Sequence, residues 1–69
     1  MAKVRLGMIG CGGIAQWHMS LLANMEEAEM VAFCDIREEA ARQSAEKYSG
    51  VAYTKHEDMF AKEKLDAIF

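Results

Sequence analysis

Short apolar runs alternate along this chain with longer segments in which apolar residues recur every three or four positions. The first run, over residues 3–9, alternates apolar and polar side chains and then becomes apolar, as in a parallel strand that is buried on both faces. Further runs with the length of a strand occupy residues 30–34, 51–53 and 65–69. The pattern therefore predicts four strands.

The segments between these runs have the spacing of helices. The first helix is expected from Ile14 to about residue 25, with one apolar face on the sheet. The side chains of that face are Ile14, Trp17, Leu21, Leu22 and Met25. A second helix is expected over residues 36–48, with a modest apolar stripe and with Gly50 as its stop. The stripe consists of Ala40, Ala41, Ala45 and Tyr48.

The remaining segments are shorter. Thr54 and Glu57 have the spacing of a capping box, which predicts a third helix through about Ala61. Residues 26–29, which are glutamate except for one alanine, are expected to form a solvated connector before the second strand. The last run breaks off at Phe69 without a turn or a polar tail, so we expect the chain to be part of a longer protein.

The predicted order of elements is β-α-β-α-β-α-β. Because crossovers between parallel strands are right-handed, this order favours an α/β fold with a doubly wound parallel sheet of the Rossmann type. In that topology the first strand is central, and its carboxyl end faces the crevice in which ligands bind.

A cluster of small residues follows the first strand at this crevice. Its spacing, Gly10-x-Gly12-x-x-Ala15, is that of a dinucleotide-binding loop in the Gly/Ala form. Gly10 allows a sharp turn, Gly12 lets the backbone approach a pyrophosphate, and Ala15 lets the helix pack closely on the strand. Gly13 adds a second residue without a Cβ, at a helix start where free N–H groups and the dipole favour an anion. The alternative is a tight strand–helix turn that binds no ligand.

Asp35 stands at the end of the second apolar run, twenty positions after Ala15. An ionised carboxylate there accepts hydrogen bonds from the adenosine ribose and repels a 2′-phosphate, so NAD is favoured over NADP. The alternative role of Asp35 is that of a helix N-cap. Arg37 has two interpretations: it stacks on adenine or pairs with a 2′-phosphate, or it is a solvated residue of the first helical turn.

The histidines and cysteines are weaker candidates. His18 falls near the apolar face of the first helix, where a packed histidine is favoured over a catalytic base. His56 is expected on the surface at the start of the third helix, on the same edge as the ligand crevice. Cys11 is expected beside the cofactor without acting on it, and Cys34 is expected to fill space in a strand. Their spacing does not predict a metal site.

Composition narrows the classes of function. The 69 residues carry a net charge of −3 and contain no basic block, so nucleic acid is not an expected partner. No apolar run approaches the roughly 18–20 residues that a membrane span needs. Two cysteines are too few for a disulfide framework, which favours reduced thiols and a cytoplasmic location.

Three stretches, residues 4–15, 30–35 and 54–69, together resemble the Gfo/Idh/MocA oxidoreductase family. The Gly-Cys-Gly-Gly-Ile-Ala run, followed by Trp17 and His18, is similar to the first helix of that family. The resemblance implies an NAD(P)-dependent dehydrogenase that acts on sugars, cyclitols or related polyols. Hydride would pass between the nicotinamide and a secondary alcohol carbon, and this chain would bind the ADP half of the cofactor.

The resemblance also implies which residues hold the cofactor. Those residues are Gly10, Gly12, Gly13, Ile14 and Ala15 at the phosphates, and Asp35 and Arg37 at the adenosine end. Residues 1–69 are then the N-terminal part of a dinucleotide-binding domain, with no catalytic residue and no metal ligand. The family's Glu-Lys-Pro motif, the rest of that domain, and a C-terminal domain for substrate binding and homo-oligomer contacts are expected beyond Phe69.

Two other classes of function are compatible with a glycine loop of this kind. A regulatory or sensor module binds NAD(P) without chemistry, and it lacks the Glu-Lys-Pro run and a downstream histidine. A methyltransferase also uses a glycine-rich turn and an acid on the ribose of S-adenosylmethionine. The glycine spacing suited to pyrophosphate, together with Ala15, argues against the methyltransferase.

Overall fold

A computed structural model describes residues 3–69 as a parallel sheet with helices on both faces. The elements are β1 (Val4–Ile9), α1 (Gly13–Ala23), β2 (Ala28–Cys34), α2 (Glu38–Tyr48), β3 (Val51–Tyr53), α3 (His56–Lys62) and β4 (Ala67–Ile68). The strand order is β3-β2-β1-β4, and every neighbouring pair is parallel. The predicted α/β sheet with a central β1 is therefore confirmed, and β3 has the predicted bounds.

The sheet separates two apolar cores, because helices cover both of its faces. On one face, α1 and α2 pack over a larger core that includes Met8, Met19 and Phe33, each at most 1% exposed. On the other face, Met59 of α3 packs against Ala32 and Cys34. Burial on both faces explains why the central strands are apolar runs without sustained alternation.

The predicted core face of α1 is wrong except at Leu22. Ile14 and Trp17 are 78% and 61% exposed, and Leu21 and Met25 are also exposed. The side chains that pack on the sheet are those of Ala15, Met19 and Leu22. The helix carries two apolar stripes at helical spacing, so periodicity alone cannot select the one that faces the sheet.

The bounds of several elements also differ from those predicted, and β4 is shortened to Ala67–Ile68. Residues 28 and 29 are not connector but the start of β2, where Ala28 pairs with Val4 and Glu29 pairs with Arg5. The predicted capping box of α3 is wrong, because the N-cap is Lys55, which has an extended backbone and makes no side-chain capping bond. The helix therefore begins one residue later than a box starting at position 54 requires.

Gly50 does not end α2 in the way expected. The residue in the left-handed conformation after the helix is Ser49, with φ of 61°. Gly50 is required for space instead, since a Cβ there would lie 2.5 Å from Cε2 of Phe33 and 2.9 Å from the carbonyl oxygen of Val31. The turn between α2 and β3 is thus pressed directly against β2.

Arg5 fastens the short β4 to the amino end of β1. The backbone N–H of Arg5 donates to the Asp66 carboxylate over 2.8 Å. The backbone N–H of Asp66 donates in return to the carbonyl of Arg5, also over 2.8 Å. The Nε of Arg5 donates to the carbonyl of Lys64 over 2.7 Å. The guanidinium also lies 3.8 Å from carboxylate oxygens of Glu29 and Glu63. Three segments of the chain therefore meet on this one side chain.

We expect Gly50→Ala to lower the free energy of unfolding by about 1–3 kcal/mol, because the added methyl group overlaps backbone that cannot move aside cheaply. Denaturant unfolding followed by circular dichroism measures this change. Gly13→Ala is the matched control, since nothing lies within 4 Å of a Cβ at that position. Equal stabilities of the two variants would contradict the steric explanation.

Candidate functional site

The chain turns sharply at the carboxyl end of β1. Gly10 has φ of 90°, a conformation that side chains with a Cβ rarely adopt, and its N–H donates to the carbonyl of Cys34 over 2.7 Å. The turn lies between the two central strands and delivers the chain into α1. We call residues 10–13 the phosphate loop.

The outer surface of the phosphate loop is open. Gly12 is the N-cap of α1, and a Cβ there would meet only the Arg37 side chain, at 3.6 Å. A Cβ at Gly13 would meet nothing within 4 Å. Within residues 3–69, the Gly12 and Gly13 amides donate no hydrogen bond. A bound anion therefore finds free donors at the positive end of a helix dipole.

Asp35 lies beneath this loop at the end of β2 and is 8% exposed. Its carboxylate accepts hydrogen bonds from the backbone N–H groups of Cys11 and Arg37, each over 2.9 Å. The Arg37 guanidinium adds two longer contacts of 3.3 Å. The N-cap of α2 is Arg37, so the alternative role of Asp35 as the N-cap is wrong.

The charge of Asp35 is stabilised by these donors. Hydrogen bonds from the Arg37 side chain, then from the Arg37 and Cys11 backbones, lower the pKa of Asp35 to about 2 against the opposing effect of burial. The carboxylate is therefore ionised throughout the physiological pH range. It is ready to accept hydrogen bonds from ligand hydroxyl groups without first losing a proton.

A polar network between the loop and α2 was not predicted. The Gln16 side chain donates to the carbonyl of Cys11 over 3.1 Å and to the hydroxyl of Ser44 over 2.8 Å. Ser44 is buried on the alanine stripe of α2. A serine in that stripe, at helical spacing from Ala40 and Ala41, is the signal in the sequence that points to a buried polar contact.

Both cysteines are buried in this region. Sγ of Cys11 lies 3.7 Å from the carbonyl oxygen of Cys34, and neither thiol forms a disulfide. Burial is the largest cause of the raised pKa of each thiol. Cys11 therefore points inward, and it is the backbone of this residue that faces the candidate site.

Two openings adjoin the phosphate loop. A crevice of about 210 Å³ lies at the carboxyl ends of the first three strands, and its lining includes Gly10, Asp35, Thr54 and His56. A cleft of about 440 Å³ lies between the loop and α2, where Lys47 adds positive charge. The predicted edge of the sheet thus carries an open site with free amides, one buried carboxylate and nearby cations.

The chain matches a known protein family over almost its whole length. Residues 4–69 match the Gfo/Idh/MocA family, which is described as an oxidoreductase family with an NAD-binding Rossmann fold. The chain belongs to this family. The predicted resemblance is confirmed, and so is the expectation of an NAD-binding domain.

Solved structures of family members superpose closely on the chain. The WlbA dehydrogenase of Bordetella pertussis, solved with NADH and UDP-GlcNAcA, is 31% identical with a TM-score of 0.89, over 96% of this chain and 21% of its own. The myo-inositol dehydrogenase of Lactobacillus casei, solved with NAD(H) and myo-inositol, is 31% identical with a TM-score of 0.84, over 97% and 21%. The myo-inositol dehydrogenase of Corynebacterium glutamicum is 27% identical with a TM-score of 0.88, over 96% and 20%. The chain therefore spans about a fifth of the length of these relatives.

The two histidines of this family member lie in different surroundings. His18 is half-buried between aromatic rings, with centroids 5.1 Å from those of Trp17 and Phe69. His56 is exposed at the first residue of α3, 3.6 Å from a carboxylate oxygen of Glu57, and it borders the crevice. The packed environment of His18 agrees with the favoured prediction.

The described part of the chain holds no group of three or more His, Cys, Asp or Glu side chains that could bind a metal ion. Among the helices of these residues, none is both long enough and apolar enough to cross a membrane.

The lowered pKa of Asp35 predicts a pH dependence of stability. The contribution of this carboxylate is fully present above its ordinary pKa of 3.8 and is lost as the pH falls towards 2. Because the Arg37 partner is 65% exposed and screened by solvent, we expect a loss of about 1–2 kcal/mol between pH 5 and pH 2.

Urea unfolding of the parent and of Asp35→Asn at several pH values measures this component, which the variant lacks. Asp58→Asn, which removes an exposed carboxylate of α3, is the control that should keep the dependence of the parent. Identical slopes for the parent and Asp35→Asn below pH 5 would show that Asp35 is not stabilised in its charged form.

Proposed function

We propose that this chain binds the ADP half of a nicotinamide cofactor in a dehydrogenase of sugars, cyclitols or related polyols. One observation carries the proposal: a loop with unpaired amides at a helix start lies directly above a buried, ionised carboxylate on the neighbouring strand. A pyrophosphate requires the first feature and a ribose the second.

The roles of the phosphate loop follow from its backbone. The amides of Gly12, Gly13 and Ile14 are proposed to hold the pyrophosphate, and Gly10 provides the turn that presents them. Ala15 is proposed to act indirectly, because its small side chain packs on the larger core and brings α1 close to the sheet. No charged side chain of the loop itself is needed, since the helix start supplies the donors.

Asp35 and Arg37 are proposed to hold the adenosine. In this structure the guanidinium of Arg37 occupies positions on the Asp35 carboxylate that ribose hydroxyls would take, at 3.3 Å and in an exposed setting. Displaced from the carboxylate, Arg37 can cover the adenine or meet a 2′-phosphate. The buried negative charge favours NAD, and the nearby arginine leaves NADP as the second cofactor.

The nicotinamide would supply or accept the hydride, and its reaction partner would be a secondary alcohol or ketone. The sugar nucleotide and inositol bound by two of the relatives support this class of substrate. We propose that three features lie outside residues 1–69, in the rest of the nucleotide domain and in a C-terminal domain: the catalytic groups, the substrate site and the contacts of a homo-oligomer. We also propose that the enzyme is cytoplasmic. A sensor that binds NAD(P) without turnover is the alternative, distinguished by the absence of a Glu-Lys-Pro motif.

Gly12→Val is expected to weaken NADH binding by about 100-fold or more, because the side chain projects into the space of the pyrophosphate. Titration of NADH fluorescence measures the dissociation constant. Ala23→Val also introduces a valine into α1, at its exposed end, and should bind as the parent does. Retained affinity in the Gly12 variant would remove the phosphate-binding role of the loop.

Asp35→Ala is expected to cost about 1.5–3 kcal/mol of NAD binding, through loss of charged hydrogen bonds, and to shift the preference towards NADP. The ratio of NADP to NAD dissociation constants is the measurement. Adding Arg37→Ala should remove the gain for NADP, because it deletes the cation next to the 2′ position. An unchanged ratio in Asp35→Ala would limit this residue to a structural role.

A further inference from the structure

One peptide of the phosphate loop is fixed by a side chain from the following helix. The carbonyl of Cys11 accepts a hydrogen bond from the side-chain amide of Gln16 over 3.1 Å. That same amide group reaches the hydroxyl of Ser44 over 2.8 Å, and Ser44 is 1% exposed on α2. The loop, α1 and α2 are thus joined in a chain of two hydrogen bonds.

Because the Cys11–Gly12 peptide is planar, the contact of its carbonyl with Gln16 also fixes the direction of the Gly12 N–H. All peptides of the described chain are trans, so the N–H of Gly12 points opposite to the C=O of Cys11 in the same plane. With the carbonyl held towards Gln16, the N–H of Gly12 is directed away from the Gln16 side chain. It has no acceptor among the described residues, which leaves it free for a ligand.

Rotation of this peptide would reverse the polarity of the site. Gly12 lacks a Cβ, so sterics place few limits on its φ and ψ. Gly12 therefore cannot by itself hold the Cys11–Gly12 peptide in one orientation. The bond from Cys11 N–H to Asp35 fixes the preceding peptide and not this one. A rotated peptide would turn the Cys11 carbonyl oxygen towards an incoming phosphate in place of an N–H.

We propose that Gln16 is a positioning residue of the phosphate loop, anchored by Ser44, that directs the Gly12 N–H at the cofactor pyrophosphate. This inference rests on the proposed function, since it concerns how the same site recognises phosphate. Gln16 touches no reacting atom and acts through the Cys11–Gly12 peptide. Its effect should therefore be confined to ligands that carry phosphate groups.

The test uses Gln16→Met in the full-length protein, because methionine keeps the length of the side chain and removes the donor. We expect the dissociation constant for NADH to rise about fivefold to tenfold, the scale of one hydrogen bond. The dissociation constant for adenosine, measured by competition with NADH, should stay within about twofold. Ser44→Ala should raise the dissociation constant for NADH by less than Gln16→Met does, because it removes the anchor and leaves the donor in place. The dissociation constant for adenosine should again stay within about twofold.

Asn24→Leu is the control, since this exposed side-chain amide at the opposite end of α1 donates to the carbonyl of Ser20, over 3.1 Å, and lies away from the loop. It should bind both ligands as the parent does. Equal weakening of NADH and adenosine in Gln16→Met would assign Gln16 a general structural role and overturn the proposal, as would unchanged NADH affinity in both Gln16→Met and Ser44→Ala. A parent protein that binds no NADH would overturn the proposed function itself, which separates the two failures.

Discussion

The carboxylate of Asp35 ties together the ends of the two central strands. It is buried and carries a full charge. It accepts one hydrogen bond from the backbone N–H of Cys11, in the loop after β1, and one from the backbone N–H of Arg37, in the turn after β2. A buried charge is stable only when hydrogen bonds replace its water, so both turns must stay in place to supply these donors. The loop geometry and the acidity of the site therefore arise from one interaction.

The sheet supplies the setting for this interaction. Apolar cores on both faces hold β1 and β2 in the centre, and the carboxyl ends of these strands meet at one edge. The loop at this edge can present backbone donors while its Cys11 side chain packs in the core. At the amino ends of the strands, the contacts of Arg5 hold the segment before β4 against β1. The binding surface therefore lies at the carboxyl ends of the strands, and the stabilising contacts of Arg5 lie at the amino ends.

Sequence patterns predicted those parts of the molecule that depend on local chemistry. The turn at Gly10 needs a residue without a Cβ, and the apolar runs need burial on both faces, so both are visible in residue types. The face of α1 was mistaken because two apolar stripes compete on one helix, and only contact with the sheet selects Met19. The contact of Gln16 with Ser44 joins positions 28 residues apart, and no local spacing encodes a bond between two helices.

The same packing gives the loop a chemical character of its own. The thiols of Cys11 and Cys34 are buried, and burial raises their pKa values, so both are protonated at neutral pH. Thiolates are the species that attack peroxides and alkylating reagents, and neither sulfur presents one to solvent. Burial of Cys11 and Cys34 therefore disfavours their oxidation and their reaction with electrophiles while the sheet remains folded.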